Sequence, residues 1–502
     1  MADELLSEFA TVEAAYGEND AASARERLSD MYAMFEKDFG AVPSVCARSP
    51  GRVNLIGEHI DYEGYGVLPM AIALDTVVAI RKNSSRDVIT LRNTQSDTYG
   101  ELTFPMDPDQ HVDTGKHTWG NYVIGAYKGV FEYLKKHHPD KVPEPVGLDV
   151  LVDGRVPTGS GLSSSAAIVC SSAIAMLEVL GVPRLRKGEV AEFTALAERY
   201  VGVISGGMDQ AISIMGKEGV AQLIEFNPVR ASPVIIPDDS VFVIANSLTV
   251  SKKAESATGR YNLRVVECRL ASAVLAKSLG VEKRKAIEYT TLKQVESLVD
   301  EWCLKKTEPL DQSMPNWCVA AVCDFLHEAP YSTREIEDIL GCKVTELFDD
   351  EASKHVLDTF DSFKLHHRAL HVYSEKQRVF DFAQICADTR YDADKARQLL
   401  GSLMDMSHTS CSTSYECSSP ELDALVKVAK DNGALGSRLT GAGWGGCTVS
   451  LVKKDMVDRF LKQVKEQYYG PLLKSGRIDE ASMDVTLFAS PPASGGGILN
   501  NV

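Results

Sequence analysis

Apolar residues recur at three- and four-residue steps near the start of the chain, with Leu28, Met31, Tyr32 and Phe35 on one stripe. This spacing predicts one helical segment that ends near Phe39 and packs on the outside of the core. From Val45 to Leu102 the pattern changes. Short apolar and β-branched runs, VLPMAIALDTVVAIRK and DVITLRN, alternate with polar turns and predict neighbouring strands of a sheet. GLDVLVDGRVP at 147–157 predicts another strand, TGSGLSSSAAIVCSSAIAML a Gly/Ser turn entering a helix, and RKGEVAEFTALAERYV a second helix.

Strand character resumes in VFVIANS at 241–247 and gives way to helix over 260–280. The domain change is placed here, dividing the chain into 1–245 and 246–502. Residues from Leu292 to Phe360 are charged and irregular and predict a surface helical excursion. Beyond it come a helix through KLHHRALHVYSEKQRVFDFA, another near 395–408, and a third through LDALVKVAKD closed by Asn432 and Gly433; a glycine-rich turn and a strand follow. No repeat of solenoid period is present.

Composition supports a large globular chain. Its 502 residues, 44% hydrophobic, can fill two domain cores. The net charge of −17 and a pI near 5.2 argue against general nucleic-acid binding, because phosphate backbones are held by basic surface. The acidic N-terminus lacks a basic flank followed by an apolar run, so no secretory signal is expected. The most apolar stretch, AAIVCSSAIAMLEVL at 166–180, is shorter than the roughly 20 residues a bilayer helix needs, and it reads as a buried core helix. Eleven scattered cysteines without a CxxC pair indicate reduced thiols in the cytosol. Cys411 and Cys417 stand six residues apart, which matches no common metal knuckle, and they read as structural thiols.

Against this background, SPGRVNLIGEHIDY at 49–62 is unusual. It gathers Arg52, Glu58, His59 and Asp61 behind a Pro-Gly turn, more hydrogen-bonding side chains than a structural loop uses, and points to a polar ligand. A second stretch, PTGSGLSSSAA at 157–167, lies between a strand and a helix. Gly159 and Gly161 free the backbone N–H groups to turn inward, and the helix start favours an anion such as phosphate. The stretch lacks the GxxxxGK[ST] pattern, so other groups must balance phosphate charge. Serine hydroxyls there could ligate nucleotide-bound Mg²⁺, with Glu198 of the neighbouring helix as a candidate carboxylate.

In GVISGGMDQAIS at 202–213, Asp209 follows Gly206 and Gly207 at the head of a helix. It could cap that helix, or orient or deprotonate a hydroxyl during phosphoryl transfer. A third glycine-rich stretch, RLTGAGWGGCTVSL at 438–451, is weak alone and gains weight from the other two. Trp119 and Tyr122, in HTWGNYV, are either core aromatics or a stacking wall for adenine.

Taken together, these motifs resemble the galactokinase branch of the GHMP small-molecule kinases from about residue 45 onward. GRVNLIGEHIDY is similar to the galactokinase signature, PTGSGLSSSAA to the ATP-phosphate motif and RLTGAGWGGC to the third motif, in family order. The resemblance implies an α+β GHMP kinase fold: an N-terminal domain like domain 2 of ribosomal protein S5, a ferredoxin-like C-terminal domain, and ATP and sugar between them. It implies ATP-dependent phosphorylation of the anomeric hydroxyl of galactose, by a cytoplasmic monomer that binds small molecules and neither nucleic acid nor membrane.

Residue by residue, it implies that Arg52 and Asp209 are catalytic, and that Glu58, His59, Asp61, Gly206 and Tyr261 contact the sugar along with them. Gly159, Ser160, Gly161, Leu162, Ser163 and Ser164 would cradle the phosphates, Trp119 would lie beside the adenine, and Ser165 and Glu198 would hold Mg²⁺. EHIDYEGYGVLPMA, HVYSE at 371–375 and GAGWGGCTVS are similar to a eukaryotic group that includes N-acetylgalactosamine kinases. Tyr261, a Phe in those enzymes, favours galactose. A non-catalytic ATP- and galactose-binding sensor is the alternative of another class.

Overall fold

A computed structural model of the chain describes residues 1–113, 115–116, 118–202, 206–250, 258–306, 311 and 314–500. The larger of its two principal sheets has seven strands in the order Ser7–Phe9, Gly497–Leu499, Val45–Ile56, Leu68–Lys82, Leu148–Gly154, Val88–Asn93 and Leu102–Pro105. Side chains of successive strand residues point to opposite faces, and both faces are covered. Cys46, Val77, Ala79 and Leu151 pack under the helix Val12–Phe39 with Leu28, Met31 and Phe35. Ala47, Val78, Ile80, Val150 and Val152 face the other way, into the main core shared with the helices Gly120–His137, Ser164–Val179, Lys187–Ala197 and Met208–Met215. Two-sided burial explains why the strand sequences run apolar without strict alternation.

Charge also pins the first helix to the sheet. Asp75, wholly buried, accepts from Arg27 Nη1 at 2.5 Å and Arg48 Nε at 2.6 Å. Although burial opposes its ionisation, the two guanidinium groups outweigh that and hold its carboxyl down at about 2.

The smaller sheet is antiparallel throughout, in the order Gly436–Leu439, Cys447–Lys453, Ser240–Asn246 and Leu487–Ser490. Ser240–Asn246 thus pairs wholly within the second sheet, and Gly497–Leu499 closes back onto the first. The chain therefore changes sheets before residue 240 rather than at 245/246, and it crosses back at its C-terminal end.

Two other expectations need adjustment. The first helix starts only at Val12, capped by Thr11, because Ser7–Phe9 pairs in parallel with Gly497–Leu499; Gly17, at φ +77°, also interrupts it. The 292–360 region resolves into separate helices, Leu292–Cys303, Trp317–Phe325, Thr333–Leu340 and Glu351–Thr359. Residues 307–310 and 312–313 of that region lie outside the described residues. Cys411 and Cys417 are both buried, with Cys417 Sγ 3.5 Å from the Cys411 carbonyl.

Candidate active site

Strand Val45–Ile56, the loop entering helix Ser164–Val179 and the head of helix Met208–Met215 meet at one point. There, 157 residues apart in sequence, Arg52 and Asp209 form a buried ion pair: Nε and Nη2 of Arg52 lie 2.9 and 2.8 Å from Asp209 Oδ1. Arg52 Nη1 donates to the Gly161 carbonyl at 2.6 Å and its main-chain N–H to Leu162 O at 3.0 Å, which locks the arginine to the glycine loop.

Two cavities adjoin this pair. The larger, about 380 Å³, is bounded by Gly159–Gly161, Ser163–Ser165, Trp119, Tyr122 and Glu198, together with Arg52 and Asp209. Its volume suits a small-molecule ligand. The smaller is lined by Glu58, His59, Asp61, Tyr261, Gly441 and Ala442, again with Arg52 and Asp209.

The glycines are explained by close backbone approach. Gly161 takes φ +76° and Gly441 φ +82°, and a Cβ on Gly441 would stand 2.4 Å from the Gly161 carbonyl oxygen. The second and third glycine stretches are thus packed against each other, main chain to main chain. A Cβ on Gly206 would stand 2.3 Å from Asp61 Oδ2 and 2.6 Å from the Tyr62 nitrogen, so only glycine lets that segment close over Asp61.

On the sugar-signature side, Glu58 is 1% exposed. It accepts from Asn54 Nδ2 at 2.8 Å and from the Gly441 N–H at 2.6 Å, with Arg438 Nη2 at 3.7 Å. Burial raises its pKa against the opposing pull of Arg438 and Arg52. His59, at φ +60°, directs Nε2 to the Ala442 carbonyl at 3.0 Å and Nδ1 to the Tyr62 hydroxyl at 3.2 Å. Nε2 therefore carries the proton and donates. Tyr261 is buried beside the recess; burial first, and then the charges of Asp61 and Asp209, keep its phenol protonated.

On the other side of the ion pair, Glu198 is 2% exposed, and its buried Oε1 has no hydrogen-bond partner among the described residues. The buried Ser163 Oγ is in the same condition. The Trp119 ring stands 6.5 Å from that of Tyr99, edge to face, and its Nε1 donates to Gly100 O at 3.3 Å.

Nearly every residue that the sequence assigns to the sugar, the nucleotide or Mg²⁺ thus borders one of the two cavities. The exceptions are Leu162, which turns into the core, and Gly206, which acts through its closeness to Asp61. Thr76, Asn93, Gln95 and Tyr99 also line the larger cavity. No motif marked them, because they sit on ordinary strands and a turn. Ala442 borders both cavities, and the glycine-rich stretch around it was the available signal.

The comparisons agree with this geometry. Family models match the galactokinase galactose-binding signature over residues 33–82, the GHMP kinase N-terminal domain over 121–217 and the GHMP kinase C-terminal domain over 392–470. A galactokinase of Dictyostelium discoideum is 36% identical over 494 residues, covering 95% of each chain. One from Saccharomyces cerevisiae is 34% identical over 94% of each. The structure of Lactococcus lactis galactokinase complexed with galactose superimposes with a TM-score of 0.65 at 26% identity, covering 94% of this chain and 99% of that one. Methanococcus jannaschii mevalonate kinase, at TM-score 0.50 and 19% identity, shares the fold. With the fold, the paired cavities and near-full-length similarity in agreement, the chain belongs to the galactokinase family of GHMP kinases.

Proposed function

We propose that this sugar kinase transfers the γ-phosphoryl group of ATP to the anomeric hydroxyl of galactose, giving galactose 1-phosphate. The observation that carries the reading is that the Arg52–Asp209 ion pair borders both cavities, so a nucleotide in one and a sugar in the other would meet across it. In this reading, the backbone from Gly159 to Ser164 receives the phosphates and Trp119 flanks the adenine. Glu58, His59, Asp61 and Tyr261 surround the sugar, and Gly206 lets Asp61 approach it.

Asp209 orients the attacking hydroxyl and accepts its proton as the bond to phosphorus forms. The neighbouring Arg52 stabilises the negative charge that develops on the transferring group. Phosphoryl transfer depends chiefly on such positioning and charge stabilisation.

Ser165 and Glu198 are the residues suited to hold Mg²⁺. A buried carboxylate oxygen with no partner among the described residues, lining the same cavity as serine hydroxyls, is an oxygen donor set, and Mg²⁺ takes few protein ligands when phosphates supply the rest. Bound there, the ion would offset phosphate charge. Replacing Glu198→Gln is expected to raise the half-saturating Mg²⁺ concentration by at least about 10-fold. A Mg²⁺ titration of turnover at fixed ATP checks this.

Among the described residues no helix is long and apolar enough to cross a membrane. The reading further places the enzyme in the cytosol as a monomer. Its direct test is ADP release with ATP and Mg²⁺ on galactose, N-acetylgalactosamine and glucose. Galactose is expected to be turned over fastest. A preference for N-acetylgalactosamine would replace the assigned substrate, and binding of both ligands without turnover would assign the protein as a sensor.

A further inference from the structure

Helix Leu365–Ala387 belongs to the C-terminal half of the chain, yet one of its faces contacts the sugar-signature turn at three successive positions. His371, Glu375 and Val379 are spaced four apart, so they share that face. Glu375 is fully buried, and its Oε1 accepts from the Gly57 N–H at 2.8 Å, the Glu58 N–H at 3.4 Å and Ser407 Oγ at 2.6 Å. Its Oε2 accepts from Arg378 Nε at 2.6 Å.

His371 Nε2 lies 3.0 Å from the Glu58 carbonyl oxygen, so it donates, and Nδ1 accepts from Ser410 Oγ at 2.9 Å. Burial pushes this imidazole down to about 4, which keeps it neutral. Val379 closes the contact: a Cβ on Gly57, whose φ is +106°, would stand 2.9 Å from its Cγ2.

The main-chain N–H of Gly57 and both main-chain polar groups of Glu58 are therefore held by this helix, while the Glu58 carboxylate is held by Asn54 and Gly441. Upstream, Asn54 is tied to the third glycine stretch, its N–H to Thr440 Oγ1 at 2.8 Å and its carbonyl to Arg438 Nη1 at 2.9 Å, so the helix supplies the anchor nearest to His59 and Asp61.

We propose that His371 and Glu375 are positioning residues for the sugar: they fix the Gly57-Glu58 main chain and so set where Glu58, His59 and Asp61 stand in the recess. The inference rests on the galactose reading of that recess. It makes the C-terminal helix part of the specificity of a turn that lies in the N-terminal half. A helix whose inward face only filled space would place apolar groups there. Here a carboxylate and an imidazole take main-chain bonds instead, which have direction as well as strength.

The test compares Glu375→Gln, Ser410→Ala and Lys376→Ala with the unaltered chain, measuring KM for galactose and for ATP separately, with direct titration of galactose binding. Gln keeps one oxygen for the main-chain N–H groups, but presents its NH2 to donors. Glu375→Gln is expected to raise the galactose KM about 10-fold or more while the ATP KM stays within about 2-fold. Ser410→Ala removes only the hydroxyl that fixes the His371 tautomer, and a rise of about 3-fold is expected. Lys376, on another face of the same helix, pairs with Glu296 of helix Leu292–Cys303, and Lys376→Ala should leave both constants unchanged.

Folded Glu375→Gln and Ser410→Ala proteins with an unaltered galactose KM, or with galactose and ATP KM raised equally, would overturn the inference. Should Glu375→Gln fail to fold, Ser410→Ala alone decides. An unaltered chain that neither binds nor phosphorylates galactose would overturn the proposed function and this inference with it. An active chain with indifferent variants would overturn only this inference.

Discussion

Asp209→Asn protein is expected to lose about 10²–10⁴-fold in galactose turnover while binding ATP with an affinity within about 2-fold of the unaltered chain. Asn preserves the shape and leaves an oxygen facing Arg52 Nε and Nη2, which lie 2.9 and 2.8 Å from Oδ1 in the ion pair. What it removes is the negative charge and the capacity to take the hydroxyl proton. The phosphate loop is held from the other side of Arg52, through Nη1 on the Gly161 carbonyl, so it keeps its support. A loss confined to kcat, with nucleotide binding intact, is the signature of an interaction realised in the transition state. Retained turnover within about 10-fold would instead leave Asp209, in the first turn of a helix whose N-cap is Gly207, as a structural partner of Arg52.

The second large effect concerns stability. Arg438 is fully buried; its Nη1 donates to Asn54 O at 2.9 Å, and its Nη2 lies 3.7 Å from Glu58 and 4.0 Å from Glu375. Arg438→Met fits a similar volume but strands the Glu58 carboxylate, and a loss of about 3–5 kcal/mol is expected in denaturant unfolding near neutral pH.

The deficit also has a predicted pH dependence. Burial raises the Glu58 pKa in the fold already, and removing Arg438 raises it further. A carboxyl whose folded pKa exceeds its unfolded value favours the fold while protonated, and costs stability once the pH passes that unfolded value. The variant should therefore be closest to the unaltered chain at about pH 4–5 and furthest from it at about pH 7–8. Unfolding midpoints at the two ends of that range check the sign. Galactose affinity should fall in parallel, since Glu58 anchors Gly441.

The division between what the chain's pattern announced and what it concealed follows from how each feature is made. Gly161, Gly441 and their neighbours were legible because close backbone contact and positive φ demand glycine, and clusters of it are visible in any sequence. Arg52, Glu58, His59 and Asp61 stood out because a turn has little other use for them.

The Arg438–Glu58–Glu375–Arg378 cluster was hidden for the opposite reason. On helix Leu365–Ala387, Glu375 and Arg378 occupy i and i+3, indistinguishable from a solvated face until the tertiary fold buries it. Strands Gly436–Leu439, Leu487–Ser490 and Gly497–Leu499 are three or four residues long, too short to establish a period of two. Ser240–Asn246 reads as a strand from sequence, but no local pattern says which sheet it joins. The helices between 292 and 360 did carry a readable signal in their caps, Thr291, Asn316, Ser332 and Asp350, each accepting a main-chain N–H three residues on. Their charged composition masked it.

The central claim is that one phosphoryl group passes from ATP to the anomeric oxygen of galactose across Arg52 and Asp209. The measurement that tests it most directly is NMR of the product formed from ATP and galactose labelled with carbon-13 at the anomeric position. The account predicts a new phosphate monoester resonance coupled to the labelled carbon, formed with ADP in equal amount and absent with Asp209→Asn protein. Phosphate on another sugar oxygen, or ADP accompanied only by free phosphate, would contradict it.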